Sequence, residues 1–461
     1  MKTFITLTFL LFACCSFGQY QIGHTTITFN DPARTGGTGS GGGPGRQIQT
    51  EIYYPATVAG NNVAVSSGTF PVIVFGHGFA MTWDAYTNIW EKLVPEGYIL
   101  AFPRTEGGLI PAPSHSDFGL DLALCVTKMQ EQNSLTTSLF SGKLSGKNAI
   151  MGHSMGGGAT ILAAQNNTTI KTIVGLAPAE TTPSAIAAAA QVSVPALILS
   201  GSSDGVTPPA DNHLPIYNAF ASSCKFFLSL LGGSHCQFAN SNFNCDFGEA
   251  TSSTGITMTR PQQHAAMFDY ILPWFDFYLK GDCTAWNTFT APQAADTRIQ
   301  PTSACTYQLP QAPSITAGTN ILTSSISSGI QWFLNGQILA GETNATISLS
   351  THGEGSYTVA TASDQMGCSG ISAPYIYGTS GMEEKDLSFK LFPNPATDIL
   401  VIEPTSTDTY TLQMFSADGK KISESVQAGK TAVNTSGLTK GLYLVKLVQN
   451  GKQSHALIQV N

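Results

Sequence analysis

The 461 residues are 42% hydrophobic and only 11% charged, with a formal net charge of −8. Such a composition makes a globular chain with an uncharged polar surface, and the acidic balance excludes a nucleic-acid partner, whose phosphates select a basic face. The length accommodates about two to four domains.

The chain opens with Lys2 and an apolar run, Phe4 to Ala13. The run is too short to span a bilayer and reads as a secretory signal over residues 1–18, with small residues Ser16 and Gly18 placing the cut before Gln19. Phe12 is too bulky for a good lipoprotein box, so lipidation is not expected. Export permits disulfides. Of nine cysteines, Cys14 and Cys15 leave with the signal; the remaining seven are Cys125, Cys224, Cys236, Cys245, Cys283, Cys305 and Cys368. An odd number leaves at least one free. No pair has metal-ligand spacing, and Cys236 beside His235 lacks companions for zinc, so neither a metal nor another cofactor is expected.

From Gln19 to about residue 308, apolar runs (Thr50–Tyr54, Pro71–Phe75, Tyr98–Phe102, Ala149–Met151, Thr172–Leu176, Pro195–Leu199, Lys225–Leu231) alternate with helix-like stretches. This pattern predicts an α/β domain with a largely parallel sheet covered on both faces. The Gly36–Gly45 run lacks the Lys-Ser/Thr of a phosphate loop and reads as a flexible connection. Phe75-Gly-His-Gly-Phe79 forms a glycine-rich turn after an early strand.

The most telling stretch is Asn148 to Thr160, where a strand runs into Gly152-His-Ser-Met-Gly156 and a small-residue helix follows. That is the setting of a nucleophile elbow, with Ser154 on a strained turn and glycines making room for the crossing chain. Gly201-Ser-Ser-Asp-Gly205 has the same spacing, but Val206-Thr-Pro-Pro209 behind Ser203 cannot open the required helix. A serine hydroxyl needs a base, and in this layout nucleophile, acid and histidine follow in that order. Asp204 lies past the strand ending at Leu199, and His235 past the next, on Gly232-Gly-Ser-His235. Both therefore emerge at the carboxyl edge of the sheet, with Ser154. Of the alternatives, His213 sits in a Pro-bracketed loop, His264 on a helix and His115 between Pro113 and Asp117, each read as a surface or packing histidine. His153 shapes the wall beside the serine. Asp211 and Glu249 are rivals to Asp204, while Asp117 and Asp121 read as a solvated helix start. An acyl-transfer intermediate needs two amide donors, assigned to Met155 and Phe79, whose side chains would also flank the ester. Pro178 to Pro195 holds only a loop and a short helix, too little for a lid, so a shallow open groove is expected.

Composition shifts at Leu309–Pro313. Short alternating strands at Gly329–Gly336, Thr346–Ser350 and Gly355–Thr361 predict an immunoglobulin-like β-sandwich over 309–378. After a break near Gly378–Lys385 come Phe392-Pro-Asn-Pro-Ala-Thr-Asp-Ile-Leu400, Asp418-Gly-Lys420 and Gly441-Leu-Tyr-Leu-Val-Lys-Leu447. Residues 387–461 strongly resemble the C-terminal sorting domain of type IX secretion cargo. The resemblance implies recognition by that machinery, passage through the outer membrane, and release or surface attachment. The middle module resembles the immunoglobulin-like spacers of such cargo.

Residues 20 to 306 resemble the bacterial cutinase and poly(ethylene terephthalate) hydrolase family, an α/β-hydrolase fold. The likeness rests on Phe75–Phe79, Gly152–Gly158, Leu176-Ala-Pro178, Pro195-Ala-Leu-Ile with Asp204 and Pro208, and Gly232–His235. It implies a triad of Ser154, Asp204 and His235, oxyanion donors at Phe79 and Met155, and an apolar binding position at Val206. The chain departs from the family in having Phe where many members have Tyr at 79, and Thr182 where most carry a mobile Trp. Gly201 stands in place of the strand-side cysteine near the histidine, so Cys236 is expected to pair with Cys245. Cys283–Cys305 resembles the family's C-terminal disulfide. The reading is a secreted, monomeric serine esterase acting on esters and polyesters. A lipase or short-chain acyl esterase is the enzymatic alternative; a surface adhesion protein with a vestigial hydrolase domain is the non-enzymatic one.

Overall fold

Alternating apolar runs assemble into one mixed sheet in the computed structural model, which describes residues 20–378, 389–405, 408–416, 420–449 and 452–460. The predicted signal (1–18), and Asp418 and Gly419 of the predicted turn, lie outside these residues. The strands are β1 (Gln21–Asp31), β2 (Gly37–Thr38), β3 (Arg46–Ala56), β4 (Gly60–Asn61), β5 (Phe70–Gly76), β6 (Ile99–Pro103), β7 (Leu144–His153), β8 (Thr172–Leu176), β9 (Ala196–Gly201), β10 (Cys224–Leu230) and β11 (Ile299–Cys305). Their order is β11-β10-β9-β8-β7-β5-β6-β3-β1-β4, with β2 on β3. Neighbours from β6 through β10 pair in parallel; β3 joins β6, β1 joins β3 and β11 joins β10 antiparallel.

Helices α1 (Thr87–Leu93), α2 (His115–Ser134), α3 (Met155–Ala164), α4 (Ala185–Ala189), α5 (His213–Ala219), α6 (Phe243–Ser252), α7 (Arg260–Phe275) and α8 (Thr284–Thr290) complete the layers. The wholly buried β5 shows why its sequence is apolar at every position. Val72 and Val74 pack into a cluster with Phe118, Leu122 and Ile161, whereas Ile73 and Phe75 join Tyr86, Trp90 and Trp274 in another. A strand buried on both faces cannot alternate apolar with polar residues.

Two expectations need correction. Asp121 is not part of a solvated helix start: it is completely buried, and its carboxylate accepts from Arg34 Nη2 at 2.7 Å and Arg46 Nη2 at 2.8 Å. Helix α2 turns that face inward, where a lone carboxylate is costly and two guanidinium groups offset the burial. The Cys283–Cys305 pairing is also overturned. Antiparallel pairing sets Cys305 opposite Cys224 on β10, and these two are bonded; Cys283 is bonded to Cys368. Cys236 and Cys245 form the third disulfide, and buried Cys125 is free, its thiol pushed up to about 12 by desolvation.

The chain divides into two compact units. One comprises the described residues up to Pro310 together with Ser363–Cys368; the other holds Gln311–Ala362 and Ser369 onward. The second is β-rich. Strands Ile315–Gly318, Ile321–Ser324 and Thr346–Ser348 form a three-stranded sheet, and Ile330–Leu334, Gln337–Ile338, Gly355–Thr361 and Tyr375–Tyr377 a four-stranded one. Leu322, Trp332, Ile347, Tyr357 and Val359 fill their core. A separate core of Leu400, Tyr410, Leu412, Tyr443, Val445 and Leu447 belongs to the C-terminal strands. No helix among the described residues is long and apolar enough to cross a membrane.

Candidate active site

Strand β7 ends at His153, and the chain reverses directly into α3 through Ser154, at φ 56° and ψ −122°. A positive φ at a residue other than glycine is strained and persists only where the surroundings enforce it. Here the enforcement is steric. A Cβ on Gly152 would lie 2.2 Å from Gly156 O, and one on Gly156 would lie 2.1 Å from Gly76 O on β5. Only glycines let the elbow close against its neighbour.

Asp204 follows β9 and His235 follows β10, and the two meet: His235 Nδ1 donates to Asp204 Oδ2 at 2.7 Å. Both are nearly inaccessible, as is Ser154. The second oxygen, Asp204 Oδ1, accepts from the amides of Val206 and Thr207 at 2.9 and 2.8 Å. Burial opposes ionisation of Asp204, but the bond from His235 and these further donors outweigh it and hold its pKa below the usual carboxylate range.

His153 stands beside this pair, its ring centroid 4.7 Å from that of His235. Its Nε2 donates to the His235 carbonyl at 3.1 Å, so Nδ1 is left to accept the Tyr86 hydroxyl at 2.9 Å. Desolvation keeps this ring neutral, with a pKa well below the ordinary histidine value. Tyr86 in turn accepts the Gly78 amide at 2.8 Å and so fixes the turn that carries Phe79. Met155 is the first residue of α3, where the amide has no partner within the helix.

The side chains named from sequence differ in reach. Phe79 and Val206 are 51% and 38% exposed, whereas Met155 is only 3% exposed and packs into the apolar cluster beneath. The segment between Pro178 and Pro195 contributes only α4, and Thr182 N donates to His115 Nδ1 at 3.0 Å. Ser203 is occupied structurally, its hydroxyl donating to Gly255 O at 2.9 Å. Glu249 accepts the Cys236 amide at 2.8 Å, His264 approaches Ala239 O, and Asp211 is exposed. A cavity of about 570 Å³ lies beside the turn, lined by His77, Trp83 and Arg104 among others; Ser154, Asp204 and His235 are not among its lining residues.

Some residues at the site were not singled out for it from sequence. Thr207 Oγ1 lies 3.1 Å from Asp204 Oδ2, 2.9 Å from His235 Nδ1 and 3.0 Å from His213 Nε2. His213 is wholly buried at the start of α5 and is not a surface histidine. On α6, Phe243 and Phe247 are 83% and 64% exposed. Asn244 between them donates to Ala80 O at 3.0 Å, beside Phe79. The Cys236–Cys245 disulfide ties the same helix to the residue after His235. A small polar residue after a turn aspartate, and two phenylalanines four apart on a short helix, were the available signals.

Residues 21–258 match the PET hydrolase-like family, and residues 390–461 match the secretion system C-terminal sorting domain. The chain is 26% identical over 276 residues to the bis(hydroxyethyl) terephthalate hydrolase of Streptomyces coelicolor, covering 60% of this chain and 72% of that protein. It is 26% identical over 218 residues to the cutinase est1 of Thermobifida alba (47% of this chain, 65% of that protein). A cutinase of Thermobifida fusca is 26% identical over 214 residues, 46% of this chain and 63% of the relative. The sorting domain marks the protein for secretion or the cell surface.

Proposed function

Because the chain belongs to the PET hydrolase-like family, we propose that it is a serine hydrolase of carboxylic esters, with Ser154 as nucleophile, His235 as base and Asp204 as its orienting acid. The observation that carries this reading is the 2.7 Å bond between Asp204 and His235 at the sheet edge where strained Ser154 sits. In this mechanism Nε2 of His235 takes the serine proton as Oγ attacks the ester carbonyl. The amides of Met155 and Phe79 receive the developing oxyanion. His235 then protonates the leaving alcohol and afterwards activates water against the acyl-enzyme, while Asp204 holds the ring's tautomer and its transient charge.

The substrate reading is a cutinase-like action on polyesters, both aliphatic ones and poly(ethylene terephthalate). Exposed Phe79 and Val206, and a short segment where a lid would stand, support access by a chain or a surface. Residues 1–18 are proposed as the export signal, 19–308 as the catalytic region, 309–378 as an immunoglobulin-like spacer and 387–461 as the sorting region of a monomer. Ser154→Ala is expected to lower hydrolysis of a soluble ester at least about a thousandfold without unfolding, whereas Ser203→Ala leaves the rate near wild type. Labelling by an organophosphonate, read by mass spectrometry, should fall on Ser154; an unlabelled protein, or a Ser203 adduct, would overturn the assignment.

A further inference from the structure

We propose that His213, acting through the Thr207 hydroxyl, is a positioning residue that directs a fourth hydrogen bond onto the Asp204 carboxylate and so sets how that carboxylate holds His235. The proposal rests on the esterase reading for its kinetic consequences, but the hydrogen-bond chain itself is independent of it.

The chain of contacts runs inward from the sheet. Ser200 Oγ on β9 lies 2.7 Å from His213 Nδ1, His213 Nε2 lies 3.0 Å from Thr207 Oγ1, and Thr207 Oγ1 lies 3.1 Å from Asp204 Oδ2. His213, Ser200 and Asp204 have fully buried side chains or nearly so, and Thr207 is buried. A neutral imidazole carries one proton, so its placement decides the polarity of the chain. With the proton on Nε2, His213 donates to Thr207, whose single hydroxyl proton is then committed to Asp204; Nδ1 accepts from Ser200. With the proton on Nδ1, Nε2 becomes an acceptor and draws the Thr207 proton away from the carboxylate.

The surroundings select the first arrangement. Asp204 Oδ2 lies 3.8 Å from His213 Nε2, and a carboxylate oxygen at that range favours an N–H over a lone pair. Ala177 O, at 3.4 Å from Thr207 Oγ1, is the more distant acceptor. Desolvation holds the His213 pKa down to about 3, so the ring stays neutral at working pH. Asp204 then receives the two amides, His235 Nδ1–H and Thr207 O–H. The other groups facing the pair are His153, kept neutral against Tyr86, and Glu249, engaged by the Cys236 amide. Each added donor stabilises the carboxylate anion, makes it a weaker base and fixes its plane against the imidazole it must hold.

The test combines a spectroscopic and a kinetic arm on the full chain. Ring ¹⁵N shifts of the histidine-labelled protein between pH 5 and 8 should assign His213 as neutral with its proton on Nε2. A proton on Nδ1, or titration of His213 in that range, overturns the proposal even if ester hydrolysis is absent. In the kinetic arm, Thr207→Val and His213→Leu should each lower kcat for a soluble ester about three- to thirtyfold, at or below what one hydrogen bond to a charged group contributes. KM should be unchanged, and the acid limb of kcat/KM should move upward by about half a pH unit. Thr207→Ser retains the hydroxyl and should match wild type. The double variant should be no slower than Thr207→Val alone, because His213 acts only through that hydroxyl. Additive losses, an unmoved acid limb, or rates that follow melting temperature alone would assign His213 to packing. Organophosphonate labelling of Ser154 in the same variants separates these failures from a failure of the esterase reading.

Discussion

Two buried histidines near Asp204 give the protein an acid sensitivity that its surface does not. In the unfolded chain a histidine titrates near 6.5, whereas His213 stays neutral down to about 3 and His153 well below its ordinary value. Below pH 6.5 the unfolded state therefore binds protons that the folded state refuses, and stability is lost as pH falls through that value. For His213 alone the loss amounts to roughly 2–3 kcal/mol at pH 4.5. Urea midpoints at pH 7.5 and 4.5 should differ less for His213→Gln than for wild type; equal differences would mean the ring is not held neutral. The strand-end positions of Ser154, Asp204 and His235 were legible because each follows an apolar run and a glycine-marked turn. Thr207 and His213 were not, since nothing in the sequence reports that residue 213 folds back against residue 200. Asp121 misled for the same reason: a carboxylate on a helix looks solvated until Arg34 and Arg46, far earlier in the chain, are known to cover it.

At the scale of single elements, α6 is where this chain has most to say about substrate. The helix is anchored twice: Cys245 to Cys236, the residue after His235, and Asn244 to the loop bearing Phe79. It presents Phe243 and Phe247 to solvent with ring centroids 6.2 Å apart. Two exposed rings on a held helix form an apolar platform next to Phe79, and aromatic faces bind aromatic or aliphatic chains largely by area. Replacing both by Ala should weaken adsorption to polyester film severalfold and leave hydrolysis of a soluble ester within about twofold. Adsorption isotherms alongside soluble-ester rates check this; parallel loss of both would point to damage around His235 instead. The strand and helix pattern of the first unit was readable because period and turn residues agree over long segments. Disulfide partners were less so, because pairing follows strand register: Cys305 meets Cys224 through the antiparallel β10–β11 ladder, which a spacing argument cannot see.

For the whole molecule, the composition break near Leu309 does not mark the end of the first unit, because Ser363–Cys368 belongs to it. Besides the Cys283–Cys368 disulfide, Tyr307 donates its hydroxyl to Asp364 at 2.8 Å. A chain ending at Leu309 should still hydrolyse a soluble ester at nearly the full rate, since the candidate site lies wholly upstream. It should nevertheless melt lower than a chain ending at Gly378, having lost both the Cys283–Cys368 cross-link and the Tyr307–Asp364 hydrogen bond. It should also show a second thiol, at Cys283, beside buried Cys125. Calorimetry and thiol titration of the two truncations decide the matter; identical melting would make the disulfide dispensable.

The same bond joins two stretches of one unit across a piece of the other. Cys305 is the nearer neighbour of Cys283 in sequence, but the β10–β11 ladder sets Cys305 opposite Cys224 and commits it there. Cys283 is bonded instead to Cys368, beyond Gln311–Ala362. The intervening residues are thus held at both ends by the first unit while belonging to the second, so cutting the chain once between them would leave the two fragments covalently joined until a reductant opened that bond.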